Sequence, residues 1–408
     1  MNMAEQLPPT AHIMAYGSGD GFEAQAGSDA GNCAAPQHSP GVVGSRSESS
    51  PARFRAGENV GRQAPASFQR QAYAAIDLGT NNCRLLIARP SGENFVVVDA
   101  FSRVVRLGEG LAQTGRMSQA AMDRALVALN VCAEKLKRRN VHLARSVATE
   151  ACRRASNGEE FIERVRQETG IALDIITAQE EARLAVLGCH VLLEPGHGPA
   201  MIFDIGGGST ELVLIESTDT VPRILDWQSV PWGVVSLTET CGDEGCDAAS
   251  RAARYAKMRQ LVTDSFAAFA ERVRYKQSDK GPMGMMRLLG TSGTVTTLAS
   301  LHLDLPQYDR RAVDGLIVPS ESMRDISARL SAMSMDERRA LPCIGRERAD
   351  LVIAGCAILE VILDLWPAEK LGVADRGIRE GILRSLMAAG SDGERLRAEL
   401  RKMKQQTA

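Results

Sequence analysis

The sequence has no apolar run long enough to cross a bilayer, which takes about 20 residues. Its N-terminus lacks the basic segment and continuous apolar core of a signal peptide. It has almost no net charge: 48 Lys and Arg face 50 Asp and Glu, a formal −2. That argues against a dedicated nucleic-acid binder, although a local basic groove remains compatible with it. Nor are the cysteines grouped. Of nine, only Cys241 and Cys246 lie close together, and no histidine flanks them at zinc-ligand spacing. An odd, dispersed set fits buried thiols in a reducing cytosol. The expectation is a soluble cytoplasmic protein with no membrane and no nucleic-acid partner.

What the chain has is length and punctuation. Its 408 residues suffice for two domains with separate cores. Residues 1–70 are rich in Gly, Ser, Pro, Ala and Gln, without periodicity, and read as a disordered tail. Order is expected from Tyr73. A break at Pro195–Pro199 divides a first domain, 71–197, from a second, 198–390, with a charged end at 391–408.

The stretch Met201–Leu214, MIFDIGGGSTELVL, organises the reading. A buried strand runs to Asp204, then Gly206, Gly207, Gly208 and Ser209, then a returning apolar strand. Three glycines weaken a strand, and a chain tolerates them where something approaches the backbone closely. Consecutive N–H groups in such a turn form an anion nest. Asp204 and Glu211 beside it repel phosphate unless a divalent cation intervenes, so the arrangement implies magnesium. An ordinary Gly-rich hairpin is the plain alternative.

The same grammar opens the first half. Tyr73–Ile76 reads as a strand ending at Asp77, followed by the turn Leu78-Gly79-Thr80-Asn81-Asn82 and the strand Cys83–Ala88. Phe95–Phe101 reads as a third strand and Arg103–Leu107 as a fourth, with Gly108, Gly110 and Gly115 making a mobile connection. Ser118 caps a helix running to Arg139. Ser156, with Glu159 three residues on, reads as a capping box for a helix to Thr169. In the second half, Ala248–Val273 reads as a long helix, and Lys276–Gly284 as a mobile connection. Gly290-Thr291-Ser292-Gly293 follows a short strand and opens a helix, a layout that aims helix N–H groups at an anion. Two halves on one plan set their phosphate turns across a cleft.

These stretches resemble the actin-like ATPase superfamily: AIDLGTNN (75–82) its first phosphate motif, FDIGGGSTEL (203–212) its second. Further stretches are similar to the exopolyphosphatase / guanosine pentaphosphate phosphatase (Ppx/GppA) family: ATEACRRA (148–155), TAQEEARLAVLG (177–188), GTSGTVTTLA (290–299), RADLVIAGCAILEVI (348–362) and DRGIREGIL (375–383). The resemblance spans roughly 72–390 and corresponds to the short, two-domain form. It implies an α/β fold of two actin-like (ribonuclease H-like) domains, each a mixed sheet with flanking helices, around a central cleft. It implies Mg²⁺-dependent hydrolysis of a terminal phosphoanhydride, with Mn²⁺ as an alternative ion. By the same resemblance Glu181 matches the general base, and Asp77, Asp204 and Glu211 the acids around metal and water. Gly79, Thr80, Asn81, Gly206, Gly207, Gly208 and Ser209 match the phosphate turns, Gly290–Gly293 the later phosphate loop, and Arg153 a phosphate-contacting arginine. Gln179 and Cys152 depart from the commoner Asn and Leu. Read without the resemblance, Glu180 and Glu181 are a solvated helix start.

The substrates expected are inorganic polyphosphate or guanosine pentaphosphate, which the motifs do not separate. A polyphosphate-using transferase and an actin-like filament or chaperone ATPase are the other readings. A basic polyphosphate groove is expected from Arg251, Arg254, Lys257, Arg259, Arg272, Arg274 and Lys276, against the alternative of a solvated helix face. A homodimer is compatible with the sequence, which does not dictate oligomeric state.

Overall fold

The computed structural model describes residues 13–15, 71–92, 94–196, 198–217, 222–242, 245, 247–278 and 286–390. The expected tail, apart from 13–15, lies outside them. So do His197 in the break, the loop at 243–244 and 246, residues 279–284 of the expected connection and the charged end at 391–408; the expected connection's first residues, 276–278, instead continue the Ala248–Ser278 helix.

Two six-stranded mixed sheets carry the fold. The first takes β1 (Ile13–Ala15), β2 (Ala72–Leu78), β3 (Asn82–Ser91), β4 (Asn94–Val104), β5 (Val141–Ala148) and β6 (Leu173–Ile175). Its order is β1-β5-β2-β3-β4, with β6 also on β5. The second takes β7 (Pro199–Ile205), β8 (Thr210–Glu216), β9 (Arg223–Val230), β10 (Arg287–Thr291), β11 (Ile317–Pro319) and β12 (Lys370–Ala374), ordered β11-β12-β10-β7-β8-β9. Part of the expected tail is thus a strand: Ile13–Ala15 pairs antiparallel with Leu143–Arg145.

The two sheets repeat one plan. β2–β3 is an antiparallel hairpin pairing Asp77 with Arg84, and β7–β8 one pairing Asp204 with Glu211. β2 runs parallel to β5, and β7 parallel to β10. β2 and β7 are apolar almost throughout because helices cover both faces of the sheet, the pattern of a central strand. β4, at an edge, exposes half its residues.

One face of the first sheet packs on the helices Gln119–Arg138 and Gly158–Thr169. The second sheet packs on Gly293–His302, Ser320–Ala332, Val352–Leu365 and the long helix Ala248–Ser278. The remaining faces share helices. From Ala178–Cys189, Leu184 and Ala185 pack on the first sheet, and Ala182, Val186 and Cys189 on the second. The helix at 378–390, last in the described chain, returns to the first sheet through Ile378, Ile382, Leu383 and Leu386. These two helices cross through glycines. A Cβ on Gly188 would lie 1.9 Å from the Gly377 carbonyl oxygen, and one on Gly381 2.0 Å from that of Leu184.

Several local expectations differ. Arg103 and Val104 continue β4, and Val105 and Arg106 turn away to donate to the Asn81 carbonyl, so no further strand forms. Ser156 does not cap: its hydroxyl donates to Gly115, and the N-cap is Asn157, whose amide exchanges two hydrogen bonds with the Met117 backbone. Gly108 is not a free link: its N–H donates to the Thr80 carbonyl at 2.9 Å.

Candidate active site

The carboxyl ends of β2 and β7 open on one cleft of about 940 Å³, solvent mouth included. That is where ligands bind in open α/β sheets. Both hairpin turns line it, as does the start of the Gly293–His302 helix.

The second turn is held from behind. Val234 N–H donates to the Gly206 carbonyl at 2.9 Å and Val235 N–H to the Gly207 carbonyl at 2.8 Å. Ser236 Oγ donates to the Gly208 carbonyl at 3.1 Å. A planar trans peptide points each C=O and the following N–H in opposite directions. The N–H groups of Gly207, Gly208 and Ser209 therefore face away from the Val234–Cys241 helix, and these residues line the cleft. No described residue accepts from them. Three adjacent donors make an anion nest. Glycine is required by close approach: a Cβ on Gly233 would fall 2.4 Å from the Gly207 carbonyl carbon, and one on Gly208 2.6 Å from Thr80 Oγ1.

The first turn is tied differently. The Thr80 carbonyl accepts from Gly108, and the Asn81 carbonyl from Val105 and Arg106. The Asn81 and Asn82 N–H groups point the other way, and Asn81 Oδ1 is buried without a partner. Gly293 and Thr294 open a helix whose first N–H groups have no intrahelical acceptor.

Carboxylates crowd the same space. Burial, then the nearby Glu211 charge, pushes Glu181 well above the usual carboxylate range. Burial and Glu211 raise Asp204 to about 8. Burial likewise raises Asp77 and Glu211. Glu211 Oε1 is braced by the Ser209 hydroxyl at 2.6 Å and the Ser229 hydroxyl at 2.9 Å. Glu181 Oε2 takes two hydrogen bonds from Arg153, each 3.0 Å. Its Oε1 accepts from no described residue.

The sequence profile of the Ppx/GppA phosphatase family matches residues 86–389. Exopolyphosphatase 2 of Mycobacterium tuberculosis is 32% identical over 328 residues, 77% of this chain and 98% of that one. The chain belongs to the Ppx/GppA phosphatase family. The guanosine-5'-triphosphate,3'-diphosphate pyrophosphatase of Aeromonas salmonicida is 28% identical over 320 residues, 78% of this chain but 60% of that longer relative. Among solved structures, the Aquifex aeolicus Ppx/GppA family member superposes with a TM-score of 0.63 at 27% identity, covering 78% of this chain and 98% of that one. The two mixed sheets are the actin-like pair of this family, and the chain is a phosphoanhydride hydrolase.

Within this Ppx/GppA cleft the structure gathers Asp77, Gly79, Thr80 and Asn81 with Glu181, Asp204 and Glu211, and with Gly206–Ser209, Ser292 and Gly293. It does not bring Gly290 or Thr291 to the surface of the cleft. A Cβ on Gly290 would meet the Phe203 ring at 2.6 Å, so this glycine serves packing. Thr291 Oγ1 donates to the Arg376 carbonyl. Arg153 also stands behind the wall. A guanidinium has five N–H donors, and here they reach Glu150, Glu181 and the Ile176 carbonyl, with none left for phosphate.

Of the expected basic groove, Arg251, Arg254, Lys257, Arg259, Arg272 and Arg274 do not line the cleft, and the Lys276 side chain lies outside the described residues. Arg259 pairs with Glu360 and Asp364, Arg272 with Asp226, and Arg274 with Glu271. Arg251 and Arg254 donate to backbone carbonyls. Among the described residues, the cations that line the cleft are Arg84 and Arg348. Arg348 is pushed down by burial and by the like charge of Arg84, and neither makes a side-chain hydrogen bond among the described residues. Sequence reasoning passed over both, along with Glu150. The signal for Arg84 was its register opposite Asp77 across a two-stranded hairpin.

The residues suit a divalent cation. Asp77 Oδ1 is buried with no partner, and the acids around it hold one another's pKa values up. No three described His, Cys, Asp or Glu side chains are close enough to form a complete cage. Mg²⁺ needs none, since it binds through one or two carboxylates plus water and substrate phosphate.

Proposed function

We propose that this phosphatase releases the terminal phosphate of inorganic polyphosphate, with water as nucleophile and Glu181 as general base. One observation carries the reading: Glu181 faces a cleft fenced by backbone N–H groups from both sheets that no described residue accepts from, one oxygen gripped by Arg153 and the other without a described partner. The Gly207–Ser209 N–H groups are donors for the oxygens of the transferring phosphoryl group, and Arg84 and Arg348 neutralise the phosphates behind it. Glu181, its affinity for protons raised by burial, takes the proton of the attacking water. The water oxygen bonds to the terminal phosphorus, the anhydride P–O bond breaks, and the chain leaves one unit shorter. Asp77 and Asp204 would hold Mg²⁺ or Mn²⁺ beside Glu211, where the ion supplies charge neutralisation between carboxylates and phosphate.

The 98% coverage of the mycobacterial exopolyphosphatase supports polyphosphate. Guanosine pentaphosphate is the second reading, supported by the apolar strip of Leu351 and Val352 along the cleft, which suits a nucleoside. Phosphate release from short polyphosphate, long polyphosphate, guanosine pentaphosphate and ATP, side by side, tests both. Polyphosphate should be fastest and release should stop in excess chelator. Rapid ATP turnover with no polyphosphate activity would remove the proposal.

A further inference from the structure

A second cavity lies at the seam between the β3–β4 hairpin, the Arg310–Val313 turn and the 378–390 helix, and shares no lining residue with the cleft. Arg310, Arg311, Arg376 and Arg384 line it, against two carboxylates, Asp314 and Glu380. Those carboxylates are already claimed. Arg376 pairs with Asp314 at 2.7 Å, and Arg310 pairs with Glu380 at 2.9 Å and with Asp375 at 3.1 Å. That leaves Arg311 and Arg384 outside any ion pair among the described residues, with Glu380, already held by Arg310, the acid whose charge reaches Arg384. Arg384 Nε is shut from water with no acceptor, and its guanidinium stands 5.9 Å over the Phe95 ring. Burial and the nearby Arg376 charge push its pKa down. A buried Nε–H with no acceptor, on a half-buried cation that shares Glu380 with Arg310, costs free energy that an added anion would recover.

We propose that this seam pocket is a second, non-catalytic binding site for a phosphate-bearing anion, gripped by Arg311 from one side and Arg384 from the other. Guanidinium groups suit phosphate because they offer paired donors in a planar fork. The site spans the halves of the molecule: Arg311 follows the second sheet's helices, whereas Arg384 lies on the helix packed against the first sheet. The segment behind the pocket reaches the back of the active site. The Arg376 carbonyl accepts from Thr291, and Gly377, the next residue, stands beside Asp204. An anion here ties the halves together and fixes the 375–377 segment at the back of the cleft, so its expected role is that of an effector.

The test is equilibrium binding of tripolyphosphate to the full chain in excess chelator at about pH 9, above the Asp204 pKa of about 8, where Asp204 in the cleft is charged and repels anions and the seam pocket does not. One equivalent should bind, and binding should weaken with salt. Arg311→Gln with Arg384→Gln should weaken it by roughly tenfold or more, since two charge-assisted contacts are lost. Arg311→Gln alone changes an exposed side chain, so the fold is kept, and it too should weaken binding. Arg384→Lys should retain part of it, and Arg84→Ala should leave it unchanged. Parallel titrations with inorganic phosphate and GTP distinguish an oligophosphate ligand from a nucleoside phosphate. No binding by the unaltered protein, or equal binding by the double variant, overturns the proposal.

Discussion

The two hairpin turns have one job and opposite construction. The second is bare glycine; the first carries Thr80 and Asn81, both buried. The difference lies in what approaches each. The Gly206–Ser209 turn is pressed from behind by the start of the Val234–Cys241 helix and from in front by the first turn, where a Cβ on Gly207 would lie 3.0 Å from Thr80 Cβ and 3.1 Å from Asn81 N. The first turn has room for side chains because its neighbouring loop supplies the glycine. A Cβ on Gly108 would fall 2.2 Å from Thr80 Cγ2. Glycine content reports crowding at the turn, and N–H direction, set by which carbonyls are claimed, reports phosphate-binding capacity.

The most disruptive change removes the group both turns face. Glu181→Gln should keep the fold, by circular dichroism and melting, and lower kcat by about 10²–10⁴, the range for general-base loss. Turnover near that of the unaltered protein would take Glu181 out of the mechanism. Next comes its support. Arg153→Ala should lower kcat by roughly 10–10² with KM little changed, because Arg153 positions the base and touches no substrate. The basic Glu181 pKa, read from the kcat profile, should move upward, since Arg153 holds it down. A rise in KM alone would mean that Arg153 meets phosphate directly.

A smaller effect separates the turns themselves. Gly207→Ala should destabilise by about 1–3 kcal/mol in denaturant titration, the usual cost of overpacking. Gly79→Ala should cost under about 0.5 kcal/mol, as its Cβ would find nothing nearer than 3.6 Å. Equal costs would dissolve the contrast between crowded and roomy turns. Finest is the contrast between the turn aspartates. Asp204 binds its proton more tightly folded, near pKa 8, than unfolded, near 3.8. Between those values the folded state holds more protons, so stability falls as pH rises. Without divalent ions at pH 8, Asp204→Asn should therefore stabilise by about 1–2 kcal/mol, with the gain fading toward pH 4. Asp77→Asn should gain less, because Arg84 and Arg379 already offset the charge there.

Much of this was legible in the sequence. A strand, an aspartate, a glycine and hydroxyl turn and a returning strand, written twice, fix both hairpins because period and punctuation are local signals. The sharing of helices was not. Leu184 and Ala185 face one sheet while Ala182 and Val186 face the other, and apolar spacing gives a face without saying what covers it. The grip of Arg153 on Glu181 and the ion pairs that absorb Arg259 and Arg272 depend on carboxylates distant in sequence. Ser156 failed as a cap for a similar reason, because a tertiary acceptor at Gly115 competed for its hydroxyl.

The central claim is that both turns hold a terminal phosphoryl group for attack by water activated at Glu181. Its most direct test is polyphosphate cleavage in ¹⁸O-labelled water, followed by the chain length of the remaining polymer and the label in the released product. The account predicts single phosphates carrying one labelled oxygen, a polymer shortened one unit at a time, and loss of both signals in Glu181→Gln. Unlabelled phosphate passed to another acceptor, internal cleavage of the chain, or full activity in Glu181→Gln would contradict it.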